Sequence, residues 1–499
     1  MPSIDTTSLQ PSYQQQRALE LFLLGDDLRI DAYAGTGKTT TLRLLAGSRT
    51  GRALYLAFNR AIANEAQQRF APHVKCATMH SLAFRSVRHV LRYPEWKLTE
   101  ALTPNLILEA FRLPPMVSFH SGVLLERHSY AAVLRDGLMR FLHSGDDKPS
   151  SVHVPCYGVL EAMNAEQFGN FASQVAEHLC YLWAAMLERS HGLPLGHDGY
   201  LKVWALSHPR LSADYIMVDE AQDLNPVLLD VLDRAQCQVV YVGDQYQQIY
   251  EWRGAVNAME QTHTRQRCLL SQSFRFGAEI AAAATIVLRT LGAREPLQGS
   301  PAIDSHIARV RPDTILSRSN AGVITNVLRC LAQGVRCLVL GGTKDLERML
   351  VDVQRIKQGQ SARSPELVGF QNWADVRNFS NQPQGEGLRN LVNLVQEHGE
   401  SRILQALSAC AQSEATADVI CSTGHRSKGR EWNYVILDSD FESGFVRAER
   451  LARPDSIGMI AAEARLLYVA MTRARLGVQL PRGIGKRFGI RNTKSEILG

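Results

Sequence analysis

The amino-acid sequence predicts an α/β protein built on two parallel sheets, and three observations predict it. Short apolar runs of strand length at 28–32, 53–58, 215–218 and 239–242 alternate with helical patterns such as 226–235, the rhythm of strands joined by crossover helices. That rhythm lapses between about residues 84 and 194. There strand runs vanish and the stretch 162–189 spaces its apolar residues by three and four, so a helical insertion is expected. It returns after residue 267 with strand runs at 314–317, 336–340, 419–422, 434–438 and 478–480, a second sheet.

Composition agrees with a multidomain globular chain. The 499 residues suit two to four domains at roughly 150 residues each. Apolar residues make up 45% and charged residues 21%, which excludes a largely disordered or coiled-coil protein. A net charge of +6 permits a polyanionic partner without requiring one. The nine cysteines are scattered, with no C-x-x-C pair and no zinc spacing, and read as reduced core thiols. The opening residues lack the basic and apolar regions of a secretory signal, and no run of 18 apolar residues occurs, so no membrane association is expected. Between 344 and 415 the sequence is helical and polar, broken by the loop NFSNQPQGEG at 378–387, and reads as a second, shorter insertion. The last residues carry Arg482, Lys486, Arg487, Arg491 and Lys494 against Glu496, a modest basic tail at 483–499.

The sharpest local signal is AYAGTGKT at 32–39, between a strand run and a helical stretch. Gly35 and Gly37 let backbone N–H groups close on phosphate oxygens at a helix N-terminus. Lys38 can reach the β and γ phosphates, and Thr39 can offer its hydroxyl to Mg²⁺. Ala32 stands where the usual pattern has its first glycine. The second signal is IMVDEAQD at 216–223, an apolar strand ending in adjacent carboxylates: Asp219 is placed to hold Mg²⁺ and Glu220 to act as general base on an attacking water. Together they specify nucleotide hydrolysis, though not what hydrolysis drives.

Six further blocks address that. Upstream stand YLAFNRAIANEA (55–66) and ATMHSLAF (77–84). Downstream stand VGDQYQQIYEWRGA (242–255), LSQSFRF (270–276), STGHRSKGREW (422–432) and EARLLYVAMTRAR (463–475). With the phosphate loop and the acidic pair, these blocks, in this order, resemble motifs I to VI of the UvrD/Rep-like superfamily 1 DNA helicases, over about residues 14–475. They are most similar to the F-box DNA helicases, whose likeness extends to HDGYLKVWALS at 197–207. No stretch of F-box length precedes residue 14, so no ubiquitylation role is expected.

The resemblance implies two RecA-like motor domains. Domain 1A would take 1–84 and 195–262, interrupted by a helical 1B at 85–194; domain 2A would take 263–343 and 416–482, interrupted by a short 2B at 344–415. It implies ATP and Mg²⁺ as cofactors, with Gln15, Ala34, Gly35, Thr36, Gly37, Lys38, Thr39 and Thr40 around the nucleotide and Thr39 and Asp219 on the metal. Phe274 would stack on the adenine, and Glu431 would bind the ribose. Gln247 would sense the γ phosphate, and Arg275 and Arg473 would reach it from the second domain. Lys428 would lie near the phosphates or the DNA. For DNA the resemblance points to Phe58, Asn59, Thr78, His80, Tyr250, Trp252, Arg253 and His425, with Trp252 the leading stacking platform at roughly 1 to 3 kcal/mol per base. It implies 3′ to 5′ movement on single-stranded DNA and unwinding of duplex DNA in repair, recombination or replication, with stripping of proteins from single strands the alternative. Such a protein would be nuclear in a eukaryote and nucleoid-associated in a prokaryote or virus; no protein partner can be named from the residues.

Overall fold

The computed structural model describes residues 10–120, 122–249, 258–364, 367–382, 386–450, 456–491 and 496–497. Its strands are β1 (Leu28–Ala32), β2 (Ala53–Leu56), β3 (Val74–Ala77), β4 (Met116–Ser118), β5 (Leu124–Glu126), β6 (Tyr215–Val218), β7 (Gln238–Gly243), β8 (Gln266–Leu270), β9 (His306–Ile307), β10 (Arg309–Val310), β11 (Thr314–Ser317), β12 (Cys337–Val339), β13 (Val419–Thr423), β14 (Trp432–Leu437), β15 (Ala474–Gln479) and β16 (Glu496–Ile497). Six form a first sheet in the order β3-β2-β6-β7-β1-β8, and six a second in the order β12-β13-β11-β14-β15-β9. Every pairing within both sheets is parallel. The α/β expectation therefore holds in both halves.

Strands β1, β2, β6 and β7 are buried at every residue, because helices cover both faces of a parallel sheet. Their alternate residues serve separate cores. On β2, Leu54 and Leu56 join the apolar cluster of the first insertion, with Leu138, Phe141 and Leu179, while Ala53 and Tyr55 join the cluster on the other face, with Leu42 and Phe22. The first insertion thus roofs the sheet and shares its core.

Several expectations need correction. The stretch 85–194 is not strand-free, since β4 and β5 form a short antiparallel hairpin ahead of the long helices Arg127–His143 and Ala165–Leu187. The boundary at 262/263 cuts too early, because β8 pairs with β1 as the edge of the first sheet. The strand's polar start, Gln266 and Arg267, suits an edge and hides it from a search for apolar runs. The basic tail is more than a charged extension: helix Arg482–Phe488 buries Ile484, Arg487 pairs with Glu449 at 2.7 Å, and β16 pairs with β10. All nine cysteines are free thiols, yet Cys156 and Cys180 are exposed, so not every one is a core thiol.

The second insertion also shares a core with its sheet. Leu350, Val353, Leu391, Ile403 and Leu407 pack in one cluster with Cys337 and Val339 of β12 and Val419 and Cys421 of β13. Its expected loop is partly helical: helix Trp373–Ser380 runs into 378–387, and helix Glu386–His398 begins inside it. Phe379, within the supposed loop, is buried with its ring 5.3 Å from that of Phe370. Deleting 378–387, which the sequence reads as a loop, therefore removes core. Phe379→Ala is expected to cost about 3 kcal/mol, measured by chemical unfolding; a loss under about 0.5 kcal/mol would mean that this segment contributes surface only.

Candidate functional site

Strand order decides which residues meet. The chemistry-bearing residues of the first sheet follow the C-terminal ends of its strands, where open α/β sheets place their ligand crevice. Thr78 and His80 follow β3, and Phe58 and Asn59 follow β2. Asp219 and Glu220 follow β6, Gln247 follows β7, the phosphate loop follows β1, and Phe274 and Arg275 follow β8. The candidates for nucleic acid thus lie at one end of the edge and those for nucleotide at the other.

The phosphate loop is built to receive an anion. Helix Lys38–Ser48 begins after Gly37, which is left-handed at φ 76°, and no side chain caps its first amides. Gly35 is also left-handed, at φ 75°, and a Cβ there would lie 2.5 Å from Ser273 Oγ and 2.7 Å from Arg275 Cβ. Gly35 O accepts from Phe274 N at 2.8 Å, Ala34 N donates to Tyr468 Oη at 2.9 Å, and Thr36 Oγ1 donates to Tyr33 O. Thr40 is exposed on the first turn of the helix. Gln15 is buried, its Nε2 donating to Thr41 Oγ1 at 3.2 Å and lying 3.4 Å from where a Gly37 Cβ would sit. Of its neighbours, Gln14 is bonded to Ser271 and Gln16 to Pro11 O, so among the three glutamines Gln15 is the one set against the loop.

The acids lie directly opposite. Thr39 Oγ1 donates to Asp219 Oδ2 at 3.1 Å, and Lys38 Nζ lies 3.3 Å from Glu220 Oε1. Burial, then the neighbouring Glu220, raises the pKa of Asp219. Burial also works against the charge of Glu220, but Lys38 and then Lys428 overcome it and bring that carboxyl down to about 2. Glu220 is thus an ionised base at neutral pH, held at a left-handed φ of 52°, a strained setting for a residue with a side chain. Among the described residues no cluster of three or more His, Cys, Asp or Glu could hold a metal ion. Thr39 and Asp219, two oxygen donors 3.1 Å apart, suit a hard cation that takes the rest of its shell from other oxygens, as Mg²⁺ does.

The second half of the chain closes the cleft with cations. Arg473 is buried at 2% exposure; its Nη2 donates to Gln247 Oε1 at 3.3 Å and its Nε to Val469 O at 2.9 Å. Burial, then Arg275, lowers its pKa to about 9, which still leaves it charged at neutral pH. Gln247 Nε2 donates in turn to Asp244 Oδ2 at 2.6 Å, the oxygen that also accepts from Tyr468 Oη at 2.9 Å. Lys428 Nζ spans the cleft to both oxygens of Asp223, at 2.7 and 2.5 Å, and to Gln247 O at 2.8 Å. Arg275 departs from the expected picture: it stands on the crossover between the sheets, beside Gly35, with Nε on Glu431 at 2.8 Å and Nη1 on Thr472 O. Glu431 is accordingly engaged by Arg275, with Arg475 4.0 Å away. Phe274 shows 51% of its surface beside Gly37, a free aromatic face at the nucleotide end.

At the other end Phe58 is 55% exposed, and Asn59 Oδ1 caps helix Arg60–Arg69. Thr78 caps helix Met79–His89, so its hydroxyl oxygen is committed to Ser81 N. His80 lies 3.6 Å from Asp198, which His143 also approaches at 3.1 Å; Asp198 belongs to helix Gly196–Leu206, within the 197–207 block. His425 sits in the turn after β13, half-buried. Tyr250, Trp252 and Arg253 lie outside the described residues.

Five residues emerge that sequence reasoning did not assign: Tyr55, Gln222, Asp223, Asp244 and Tyr468. Gln222 joins Glu220, at 2.6 Å, to Asp244 N, at 3.0 Å. All five fall inside the quoted motif blocks, but what each touches depends on which strands are neighbours.

The UvrD/REP helicase N-terminal domain matches residues 166–266, and the UvrD-like helicase C-terminal domain matches residues 301–478. The chain belongs to the UvrD-like helicase family. The chain is 29% identical over 506 residues to F-box DNA helicase protein 1 of Schizosaccharomyces pombe, an alignment covering 93% of this chain and 56% of that protein. It is 29% identical over 512 residues to F-box DNA helicase 1 of Gallus gallus, covering 95% of this chain and 49% of the relative. This UvrD-like chain thus spans about half the length of the curated relatives it matches. No described helix is long and apolar enough to cross a membrane.

The Lys428 to Asp223 pair gives this UvrD-like cleft a measurable property. Burial pushes the Asp223 carboxyl up to about 6 although Lys428 pulls it down. In Lys428→Met the carboxyl loses its cation and rises further. Above that pKa it is an unpaired buried anion, costing about 3 kcal/mol; as pH falls through it the group becomes neutral and the cost fades. Melting temperatures of the two proteins should therefore differ at pH 8 and converge toward pH 5, and an equal gap at both would refute the assignment.

Proposed function

We propose that this chain is the motor of an ATP-dependent DNA helicase that tracks single-stranded DNA 3′ to 5′ and separates duplex DNA. One observation carries the reading. A phosphate loop meets a metal-competent carboxylate and an ionised base across about 3 Å, and cations from the second half close the same cleft. The two DNA helicases to which the chain is similar support DNA as the track.

In this reading the uncapped amides of helix Lys38–Ser48 and Lys38 itself hold the β and γ phosphates, and Phe274 and Gln15 take the base. Thr39 and Asp219 would hold Mg²⁺, whose charge would offset that of the phosphates. Glu220 accepts the proton of the attacking water. Lys38 must then leave Glu220 for the phosphates, which frees that carboxylate when substrate arrives. Arg275 and Arg473 neutralise charge on the transferred group, with Arg275 first released from Glu431. Gln247 touches Asp244, Arg473 and Lys428 together, so a change at the phosphates reaches both halves. Single strands would cross the edge near Phe58, Asn59, Thr78, His80 and His425, with Tyr250, Trp252 and Arg253 the further candidates. Duplex contact would fall mainly to the first insertion, the longer of the two. The motor units of this proposal are 1A with its roof 1B, extended to include β8, and 2A with 2B.

Glu220→Gln is expected to bind nucleotide and DNA while hydrolysing 10² to 10³-fold more slowly, and Lys38→Ala to lose hydrolysis with its melting curve retained. Single-stranded oligonucleotide should stimulate the wild-type rate, with a DNA affinity that falls steeply with salt. Strand displacement on 3′-tailed but not 5′-tailed duplexes would establish direction. Salt-independent DNA binding, or near-normal turnover by the Lys38 variant, would sink the reading.

A further inference from the structure

Tyr55 is the one large side chain of β2 that reaches the candidate metal site. It is fully buried, and its phenol donates to Asp219 Oδ2 at 2.7 Å. That oxygen is also the acceptor for Thr39 Oγ1 at 3.1 Å, while Asp219 Oδ1 accepts from Glu220 N at 2.9 Å. The main chain repeats the connection, since Asp219 N donates to Leu56 O at 3.1 Å and Tyr55 pairs in register with Met217 of β6. Strand β2 therefore fixes Asp219 at both its backbone and its carboxylate.

The same strand leads straight to the nucleic-acid end of the edge. Ala57 N donates to Ala77 O at 2.9 Å, which ties the exit of β2 to the exit of β3; then come Phe58 and Asn59. Only two residues separate Tyr55 from the exposed ring of Phe58. A displacement at Phe58 or Asn59 has little slack before it reaches the phenol, because the intervening chain is hydrogen-bonded on both sides.

We propose that Tyr55 is a positioning residue that sets the Asp219 carboxylate for Mg²⁺ and relays occupation of the Phe58 and Asn59 surface to that carboxylate. The inference rests on the proposed function and deepens it. Without the phenol, Asp219 Oδ2 would keep only the Thr39 hydroxyl, a group that must itself turn toward the metal. The carboxylate would then be free to rotate, and metal affinity would fall by the roughly 10 to 100-fold typical of losing an outer partner of a ligand.

Tyr55→Phe removes the donor and keeps the ring, which packs 4.7 Å from that of Phe70. Fluorescent ATP analogue is titrated at fixed concentration with MgCl₂, with and without a single-stranded oligonucleotide, for wild type, Tyr55→Phe and Phe70→Leu. The expected result is a Mg²⁺ half-saturation raised about ten-fold in Tyr55→Phe, unchanged binding of the analogue in EDTA, and loss of the oligonucleotide-induced shift that wild type displays. Phe70→Leu loosens ring packing without touching the hydrogen bond and should track wild type. Half-saturation within two-fold of wild type in Tyr55→Phe, or an equal rise in Phe70→Leu, would overturn the inference alone. A wild-type protein that binds no analogue in the presence of Mg²⁺ would overturn the proposed function and this inference with it.

Discussion

Burying several carboxylates in one cleft is the constraint around which this molecule is arranged. Asp219 and Asp244 are 6% and 1% exposed, and the side chain of Asp223 is 3% exposed. Burial raises the pKa of all three. Removing an ion from water costs several kcal/mol even after the surroundings relax. The first half supplies Lys38 nearby; Lys428 and Arg473 come from the second half. Asp219 finds its partners within the first half, in Thr39 and Tyr55, but Asp223 depends on Lys428 and Asp244 on Tyr468, so those two buried carboxylates also dock the halves together.

The crossover after β8 makes that docking directional. Ser273 N donates to Gln298 O and Phe274 N to Gly35 O, so the segment that joins the two sheets is also laced to the phosphate loop. Farther along, a Cβ at Gly299 would lie 2.2 Å from the Gly277 carbonyl carbon, a contact that only glycine tolerates. Arg275 lies between these anchors. Arg275, beside Gly35 and bonded to Glu431 and Thr472 O of the second half, thereby links the phosphate loop to the second sheet.

Much of this was legible in the sequence because parallel strands buried on both faces leave continuous apolar runs, and because phosphate loops and acidic strand ends are local. What the sequence hid follows from topology. Strands β3 and β8 are edges, and Lys75, Gln266 and Arg267 break the apolar signal there. Tyr55 reads as one more apolar residue of a strand until β2 is seen beside β6. Gln222, Asp223, Asp244 and Tyr468 stand in recognisable motifs, yet only the pairing of β6 with β7 and the arrival of helix Ser456–Met471 turn them into one network. The polar stretch 378–387 misled in the opposite sense, since one buried phenylalanine among amides and glycines outweighs its composition.

The apolar packing limits how far the two halves can separate. One core cluster holds Tyr33 and Ala34 of the phosphate loop and Tyr246 and Ile249 beyond β7 together with Phe276, Leu466, Tyr468 and Val469 of the second half. Each large side chain withdrawn from it would lose about 1.5 to 3 kcal/mol. Uncovering three or four of them would consume a large part of the order of 10 kcal/mol that holds a domain folded. The two helical insertions cannot absorb the motion instead, because their apolar residues are shared with the faces of the sheets they cover. The polar layer of the cleft is held differently, by the charge pairs Lys38–Glu220, Lys428–Asp223 and Arg275–Glu431, and the proposed function would have these cations exchange carboxylates for phosphates. In the proposed motor, steps would then come from small rotations about a core that stays closed, set by which anion each cation holds.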